Sequence, residues 1–366
     1  MCRRAAAARI WLHHHHAQLQ LLRQRIIHTS ATPAALTELR AELRPDNVLA
    51  VADRNTARYA EALGLPVIVL EPGDEHKTLD AVATLWEGMH DAGLTRHSLV
   101  VNVGGGMVTD MGGFAAATYR RGIRFINVPT TLLGAVDAAC GGKTGFNHCG
   151  VKNHIGVFAP AEAVIVNTDY FRSLPKEELL SGYAEMLKHA LLSDSDELAA
   201  ILRFDPLDPD WELLPALVAG SMATKQRIVD ADPLERGLRK ALNLGHTAGH
   251  ALESLAIGKG RPIPHGYAVA YGLVIALVLS VMTLKADSRL LHRIASHVRG
   301  LYGAPDITCA DYDRLTALML DDKKNRHDGL IRFTLLTQTG KPHTDCPTEP
   351  ATVAAALDIA RDLFGI

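Results

Sequence analysis

The stretch SLVVNVGGGMVTDMGG, residues 98–113, decides how the first half of the chain folds. The apolar run 98–103 leads directly into three glycines, and a helical segment follows them. This order predicts a buried strand, a tight turn and a helix. Glycines at such a turn let the backbone approach a pyrophosphate, and a helix N-terminus favours negative charge. The pattern is not G-x-G-x-x-G, so a plain strand-to-helix turn remains the alternative to dinucleotide binding.

Similar apolar runs occur on both sides of this stretch. They predict strands at 48–52, 66–70, 123–128 and 163–167, with a helix at 79–92. Strands that alternate with helices indicate a parallel sheet covered on both faces. A ligand is then expected at the carboxyl ends of the strands.

The pattern changes after Ser173-Leu174-Pro175, because proline and the residue before it both resist helix continuation. Beyond this point the sequence predicts helices at 177–193, 211–230, 242–256, 268–284 and 290–301. It predicts a single strand, at 331–336. The predicted fold class is α/β followed by α, with a Rossmann-like parallel-sheet domain and a mainly helical domain. The predicted boundaries are an unassigned extension at 1–24, the α/β domain at 25–174 and the helical domain at 175–366.

Composition excludes several classes of protein. The 366 residues are 48% hydrophobic and 21% charged, as in a soluble globular protein. A formal net charge of −2 lacks the excess of basic residues that is typical of proteins that bind nucleic acid or an anionic membrane. Five scattered cysteines indicate no disulfide framework, which favours a reducing, cytoplasmic location. The uncharged stretch 266–284 is long enough to span a bilayer, but its glycine and tyrosines favour a buried core helix.

The N-terminus is poor in acidic residues, because none occurs before Glu38 although five arginines do. Such a leader is typical of organellar transit peptides. An unstructured extension or a misassigned start is an equally open interpretation. The run His13–His16 is interpreted as a solvated tail rather than a metal site or a tag remnant.

A glycine-rich segment at 129–153 contains two lysines, Lys143 and Lys152, and an asparagine, Asn153. Gly142-Lys143-Thr144 resembles the end of a P-loop, but Asp137 stands where the P-loop requires its first glycine. The segment is therefore predicted to be a loop with cationic donors suited to a phosphate. A polar surface loop is the alternative.

Metal-ligand candidates lie in the second half. Glu185 and Lys188 share one helical face, and His246 and His250 do so at i, i+4 spacing. His265 precedes the long apolar helix. One glutamate with two histidines is the chemistry of a catalytic zinc site, and the absence of H-E-x-x-H excludes a zincin protease. With 18 histidines in the chain, ordinary core or surface histidines remain the alternative. Nearby basic residues at 225, 227, 236, 239 and 240 are consistent with an anionic substrate or with a solvated face.

In combination these motifs resemble the 3-dehydroquinate synthase family of sugar phosphate cyclases over roughly residues 45–340. The matching segments are GGGMVTDMGGFAAATYRRGIRFINVPTTLLGAVDAACGGKTGFN, GVKNHIGVF, SGYAEMLKH, LNLGHTAGHALE, HGYAVAYG and DDKKN. The sequence motif GGKTGFN…GVKN, together with SGYAEMLKH, is most similar to the branch of the family found in Bacteroidetes-type organisms. Three departures stand out: Asp74 replaces a glutamate of the family's Glu-x-x-Lys turn, the stretch between His246 and His265 is slightly longer, and residues 1–24 have no counterpart.

The resemblance implies NAD in the α/β domain, Zn²⁺ or Co²⁺ at the metal site, and a sugar phosphate substrate. The implied metal ligands are Glu185, His246 and His265. The implied NAD residues are Asp53, Gly73, Asp74, Lys77, Gly105, Gly106, Asp110, Thr130, Thr131, Lys143, Lys152, Tyr170, Phe171, Arg172 and Ser173. The implied substrate residues are Asp137, Lys143, Asn153, Lys188, Lys225, Arg239, Asn243, His250, Lys323 and Lys324. Arg121 matches a family arginine that reaches the neighbouring subunit's phosphate site, which implies a homodimer.

The implied reaction converts 3-deoxy-D-arabino-heptulosonate 7-phosphate to 3-dehydroquinate and phosphate, in the shikimate pathway of aromatic amino acid biosynthesis. It combines transient oxidation by NAD, phosphate elimination, re-reduction and an aldol closure, so the enzyme is a carbon–oxygen lyase. Another sugar phosphate cyclase would share fold, NAD and metal, but its substrate lacks the carboxylate assigned to Lys225 and Arg239. A polyol dehydrogenase of related fold would not need so many cationic substrate residues.

Overall fold

The computed structural model describes residues 24–321 and 328–366. Within this range the chain forms two compact units. The first unit ends at Arg172 and also includes Val229–Leu234, and the second comprises Ser173–Ile228 and Glu235–Ile366. The predicted extension, apart from its last residue, and the predicted lysines Lys323 and Lys324 lie outside the described residues.

The first unit contains a six-stranded parallel sheet. Its strands are β1 (Arg25–His28), β2 (Val48–Asp53), β3 (Val67–Leu70), β4 (Leu99–Gly104), β5 (Arg124–Pro129) and β8 (Ala163–Val166). They lie in the order β1-β8-β5-β4-β2-β3. The helices are α1 (Thr32–Leu43), α2 (Ala57–Glu61), α3 (Leu79–Asp91) and α4 (Gly106–Thr118). The predicted parallel sheet is confirmed. The prediction missed β1, since the four residues RIIH are too short to give a periodic pattern.

Helices cover both faces of this sheet, because alternate residues of β2 point to opposite sides. Leu49 and Val51 belong to one apolar core with Leu85 of α3 and Met111 of α4. Ala50 and Ala52 belong to a second core, with Leu36 and Leu39 of α1 and Ala60 of α2. Strand β3 lies on one side of β2 and β4 on the other, so the chain reverses direction across the sheet between β2 and β4. Such a switch point opens a crevice at the carboxyl ends of the two strands.

Residues 143–153 of the glycine-rich segment predicted as a loop belong to a hairpin of β6 (Lys143–His148) and β7 (Val151–Phe158), so the loop prediction is wrong for that part. Gly145 and Gly156 lie opposite each other, and a Cβ on either would approach the facing strand's backbone to 2.3 Å or less. These glycines therefore serve close strand pairing rather than loop flexibility. Cys149 and Gly150 form the turn with φ of 50° and 76°, as a two-residue hairpin turn of the primed type requires.

The second unit is mainly helical, as predicted. Its elements are α5 (Lys176–Leu192), α6 (Ser195–Arg203), α7 (Leu214–Ala231, whose last three residues belong to the first unit), α8 (His246–Gly258), α9 (His265–Leu284), α10 (Ser288–Tyr302), α11 (Tyr312–Leu320), α12 (Pro350–Phe364), β9 (Ile331–Gln338) and β10 (Lys341–Thr348). The single predicted strand is half of an antiparallel pair, β9 with β10. Strand β10 reads KPHTDCPT, and its two prolines and polar residues hide it from pattern-based prediction.

Helix α9 is the core helix of the second unit. Its mean hydropathy reaches 2.2, so by length and composition it is the one helix among the described residues able to cross a membrane. However, 72% of that window is buried inside the protein. Helices α5, α8, α10 and α12 and strand β9 pack around it. The prediction of a buried core helix rather than a membrane span is confirmed.

Candidate active site

Helices α8 and α9 approach each other backbone to backbone through glycines. A Cβ on Gly272 would lie 1.9 Å from the carbonyl oxygen of Gly245, and one on Gly249 would lie 2.9 Å from that of Ala268. His246 and His265 are the first residues of the two helices. The close crossing therefore brings the two predicted metal ligands near each other.

The start of α9 also touches α5. The backbone N–H of Gly266 donates to the Ser181 hydroxyl at 3.0 Å. Glu185 lies one turn further along α5, on the same helical face as Ser181. Its Oε1 is 3.5 Å from His246 Nε2 and 3.7 Å from His265 Nε2. The structure thus brings together all three residues predicted as ligands.

His250 is the fourth member of this cluster, one turn after His246 on α8. Its ring centroid lies 5.3 Å from that of His246 and 5.8 Å from that of His265. One ring nitrogen from each of the three histidines lies within 4.8 Å of the others. A carboxylate combined with imidazoles is a donor set that suits Zn²⁺ or Co²⁺.

The charges in the cluster favour a cation. Burial would raise the pKa of Glu185, but Lys188 and the two histidines outweigh it and hold that pKa well below its usual value. Burial and Lys188 lower the pKa of His246 far below normal, so its ring is neutral. Burial opposes charge on His265 too, yet Glu185 and Glu253 raise the pKa of His265 to about 10. The two carboxylates therefore favour positive charge at this position.

The second unit also buries three of the predicted substrate-binding cations. The exposed fractions are 1% for Lys188, 5% for Lys225 and 2% for Arg239. Lys188 Nζ forms an ion pair with Glu185 Oε2. Asn243, from the 3₁₀ turn that precedes α8, donates to Glu235 Oε1 at 3.2 Å. Buried charges need polar or charged surroundings, so these side chains mark a polar region within a largely apolar unit.

In the first unit, the predicted glycine turn lies at the switch point of the sheet. Gly105 caps α4, which begins at Gly106, and the N–H of Thr130 donates to the Gly104 carbonyl at 3.0 Å. Thr131 accepts from the N–H of Gly134 at 2.9 Å. At the end of β2, Asp53 Oδ1 accepts hydrogen bonds from the backbone N–H groups of Asn55 and Thr56, at 2.9 and 3.0 Å. The ends of β2, β4 and β5 thus place these predicted cofactor residues along one edge of the sheet.

A second cluster of the first unit joins the 73–77 turn to the β6–β7 hairpin. The buried Lys77 ammonium donates to Asp110 Oδ2 at 2.6 Å and to Asn153 Oδ1. Lys152 forms an ion pair with Asp74 at 3.0 Å. Four predicted cofactor residues and one predicted substrate residue are therefore in contact. Gly73, with φ of 111°, starts this turn.

The other predicted residues of the first unit differ in secondary structure and burial. Asp137 belongs to a single π-helical turn, Gly134–Ala138, and Lys143 is the exposed first residue of β6. The Tyr170 ring lies 4.6 Å from the Tyr59 ring. Phe171 is fully buried.

Three further predicted residues lie at turns or at the boundary of a unit. Arg172 forms an exposed ion pair with Asp169, and Ser173 is the first residue of the second unit. Arg121 is exposed and has φ of 68°, within a turn that continues into Gly122. The predicted Lys323 and Lys324 lie outside the described residues.

Sequence reasoning missed three residues that support these clusters. Asn147 donates to the Asp74 carbonyl at 2.9 Å and accepts from the N–H of Asn153 at 2.9 Å. His189, one turn after Glu185, is buried and bonded to the Ser221 hydroxyl at 2.8 Å. Glu253 contacts His265. The helical spacing of His189 from Glu185 and of Glu253 from His246 was the available signal, whereas nothing in the sequence marks Asn147.

Family models match both parts of the chain: 3-dehydroquinate synthase N-terminal over residues 67–181, and 3-dehydroquinate synthase C-terminal over residues 182–325. The chain is also 42% identical to the 3-dehydroquinate synthase of Parabacteroides distasonis, across 94% of this chain and 99% of the relative. The chain belongs to the 3-dehydroquinate synthase family. The family predicted from the motifs is confirmed, and the Parabacteroides relative agrees with the predicted branch.

Solved structures share the fold of this family member. One is 2-deoxy-scyllo-inosose synthase complexed with carbaglucose-6-phosphate, NAD⁺ and Co²⁺, with a TM-score of 0.79, 24% identity, and coverage of 91% of this chain and 95% of that one. Another is the 2-epi-5-epi-valiolone synthase of Streptomyces hygroscopicus with NAD⁺ and Zn²⁺ bound, with a TM-score of 0.80, 23% identity, and coverage of 93% and 97%. The predicted fold class, a Rossmann-like domain followed by a helical one, is confirmed.

Proposed function

We propose that this protein is a 3-dehydroquinate synthase that converts 3-deoxy-D-arabino-heptulosonate 7-phosphate to 3-dehydroquinate and phosphate. The observation that carries the proposal is the fully buried Glu185 carboxylate, which faces two imidazoles and the Lys188 ammonium. This group of side chains is suited to a divalent metal ion next to a polar substrate. A second curated relative with this name, from Leptospira interrogans, is 38% identical over 82% of the chain.

Glu185, His246 and His265 are the proposed ligands of Zn²⁺ or Co²⁺. When bound, the metal ion supplies Lewis-acid polarisation of a substrate hydroxyl. The proposed site for NAD is the crevice of the first unit, where Gly105 and Gly106 open α4 and Lys77 meets Asp110. NAD supplies a reversible hydride acceptor, and the protein holds the substrate in position for it.

The protein's own contribution is to bind and orient the two charged ends of the substrate. Lys225 and Arg239 hold the carboxylate, since a guanidinium offers a fork of donors to two oxygens. Asn153, His250, Arg121 and the lysines at 323 and 324 hold the phosphate. Asp137, Lys143, Lys188 and Asn243 contact the sugar hydroxyls. We further propose that the enzyme is a homodimer and works in the cytoplasm.

Two other functions are distinguishable from this one. A cyclase that makes an inosose or a valiolone acts on a sugar phosphate without a carboxylate, and the burial of both Lys225 and Arg239 favours a carboxylate substrate. A polyol dehydrogenase would produce one NADH for each product and release no phosphate.

The test follows NADH absorbance and inorganic phosphate together, with the heptulosonate phosphate in large excess over NAD. We expect many phosphates per NAD, with no accumulation of NADH. His246→Ala should abolish phosphate release, whereas His292→Ala, which changes an exposed histidine of α10, should leave it unchanged. NADH formed in step with product, without phosphate release, would show that the protein is a dehydrogenase of the same fold.

A further inference from the structure

Glu253 lies next to the histidine cluster on α8, seven residues after His246 and thus on the same face of the helix. Its side chain is buried, with 5% of the residue exposed. Its Oε2 is 3.3 Å from Nδ1 of His265. The other ring nitrogen of His265, Nε2, faces Glu185. The imidazole therefore lies between two carboxylates.

His246 and His265, whose Nε2 atoms face Glu185, have different partners at Nδ1. His246 Nδ1 lies 3.1 Å from the backbone carbonyl of Leu244, a neutral acceptor. His265 Nδ1 instead meets the Glu253 carboxylate, a charged acceptor. In both cases an acceptor at Nδ1 holds a proton at that nitrogen, so a metal ion on the Glu185 side would bind Nε2, displacing the second proton of His265.

A carboxylate next to Nδ1 influences the imidazole more strongly than a neutral backbone carbonyl does. It fixes the ring orientation through a charge-assisted hydrogen bond, and it strengthens the imidazole as an electron donor. Its negative charge, in a poorly hydrated interior, also attracts a cation at the far side of the ring. Both effects act on a bound metal ion through His265, without contact between that ion and Glu253.

We propose that Glu253 is a positioning residue of the metal site: it holds His265 in the tautomer and orientation that bind the ion, and it thereby sets the metal affinity. The inference rests on the proposed function, because the ion in question is the proposed catalytic metal. It assigns a role to a residue outside the three ligands and outside the substrate contacts.

The test measures Zn²⁺ affinity of the full-length, metal-free protein by competition with a chromogenic chelator. Glu253→Gln keeps the side chain's size and an acceptor oxygen but removes the charge. We expect its Kd for Zn²⁺ to rise about 10- to 100-fold. The matched control is Asp311→Asn, which neutralises a carboxylate paired with Lys259 at the opposite end of α8. The control should keep its affinity within about two-fold, because it acts on the helix without touching a histidine.

The visible absorption of the Co²⁺-loaded protein gives a second readout. We expect a changed Co²⁺ spectrum in Glu253→Gln and an unchanged one in Asp311→Asn, because the spectrum reports the geometry of the ligands. If Glu253→Gln does not fold, Glu253→Asp provides the same comparison, since the shorter side chain keeps the charge but retracts it from Nδ1. Failure of both variants to fold would assign Glu253 a purely structural role and overturn the inference.

The outcomes separate this inference from the proposed function. A wild-type protein that binds no Zn²⁺ overturns both. A wild-type protein that binds Zn²⁺, together with a folded Glu253→Gln variant of equal affinity and spectrum, overturns only the role of Glu253.

Discussion

Arg239 and Lys225 are charged side chains that lose nearly all contact with water. Removing such groups from water is unfavourable unless polar partners or a ligand compensate. A protein retains them where their charge is used, and a guanidinium in particular matches the planar geometry of a carboxylate. Burial therefore distinguishes Lys225 and Arg239 from basic residues on a solvated helix face, which the sequence alone could not tell apart.

Replacing Arg239 tests the predicted carboxylate contact. In Arg239→Lys a single ammonium replaces the two-pronged guanidinium, so we expect kcat/KM for the heptulosonate phosphate to fall by at least about ten-fold. Steady-state kinetics with a thermal melt of each protein provide the measurement. Arg203→Lys, at an exposed position on α6, is the control and should match the wild type. An unchanged kcat/KM in Arg239→Lys would exclude this residue from carboxylate recognition.

His297 makes the stability of the protein depend on pH. The Tyr183 hydroxyl lies 2.8 Å from His297 Nε2, while it donates to the Ile201 carbonyl at 2.7 Å. Burial, with a contribution from Arg293 and against an opposing one from Asp205, lowers the pKa of His297. The folded state thus binds fewer protons at this ring than the unfolded state. Its stabilising contribution is complete above the unfolded pKa of about 6.5 and is lost as the pH falls below it.

The expected result is a fall in the free energy of unfolding between pH 7.5 and pH 5.5, measured by urea titration. His297→Gln should show a smaller fall than the wild type, because the titrating ring is gone. His292→Gln, on the exposed side of the same helix, should keep the wild-type dependence. Equal pH dependence in all three proteins would contradict the prediction.

At the scale of elements, glycines between helices position the metal cluster. The carbonyl of Gly245 nearly touches the Cα of Gly272, so α8 and α9 pack without intervening side chains. Gly272→Ala places a methyl group in that backbone contact, which cannot move like a flexible side chain. We expect a loss of roughly 1–3 kcal/mol in the free energy of unfolding, or more, and weaker Zn²⁺ binding.

Denaturant unfolding and chelator competition measure these two effects. Gly300→Ala, inside α10 with open space around it, is the matched control. It should be neutral or slightly stabilising, because alanine is the better helix former. Equal losses in the two variants would show that the close contact of α8 with α9 is not what matters.

Sequence patterns predicted the elements better than their contacts. Apolar runs located most strands of the parallel sheet, since buried parallel strands are continuously hydrophobic. The β6–β7 hairpin was predicted to be a loop, because glycines such as Gly145 and Gly156 are typical of loops. Here they allow two strands to pair closely. Spacing and side-chain chemistry named the metal-ligand candidates, but the choice of three ligands among them came only from the family motifs. The packing of α5 on α9 through Gly266 brings Glu185 to His265, and such a long-range contact leaves no local pattern.

At the scale of the whole molecule, Arg121 is the residue on which the proposal of a homodimer with shared active sites depends. Residues 120–122 of this exposed turn all have positive φ. That backbone conformation is unfavourable for Arg120 and Arg121, because their side chains are crowded there. Such strain is often found at functional sites. The resemblance to the family implies that Arg121 reaches the neighbouring subunit's phosphate site, so each site of the proposed dimer would need both chains.

Subunit mixing tests this arrangement. Arg121→Ala and His246→Ala should each be inactive alone. Random exchange makes half of the dimers hybrids, each with one complete site, so activity should return to about a quarter of the wild-type value. A mixture of His246→Ala with His265→Ala, both in the metal cluster, should recover none. Absence of recovery in the first mixture, with exchange verified by mass spectrometry, would show that Arg121 does not act across subunits.

Helix α9 also affects what happens before the protein is folded. Until α5, α8, α10 and α12 surround it, the nascent chain presents a segment as apolar as a membrane anchor. Such a segment attracts other unfolded chains and the chaperones that bind exposed apolar surface. Heat that opens the second unit exposes this helix again, and aggregation of the unfolded chains then competes with refolding. Every unfolding event that uncovers this one helix thus gives the molecule a chance to be lost rather than refolded.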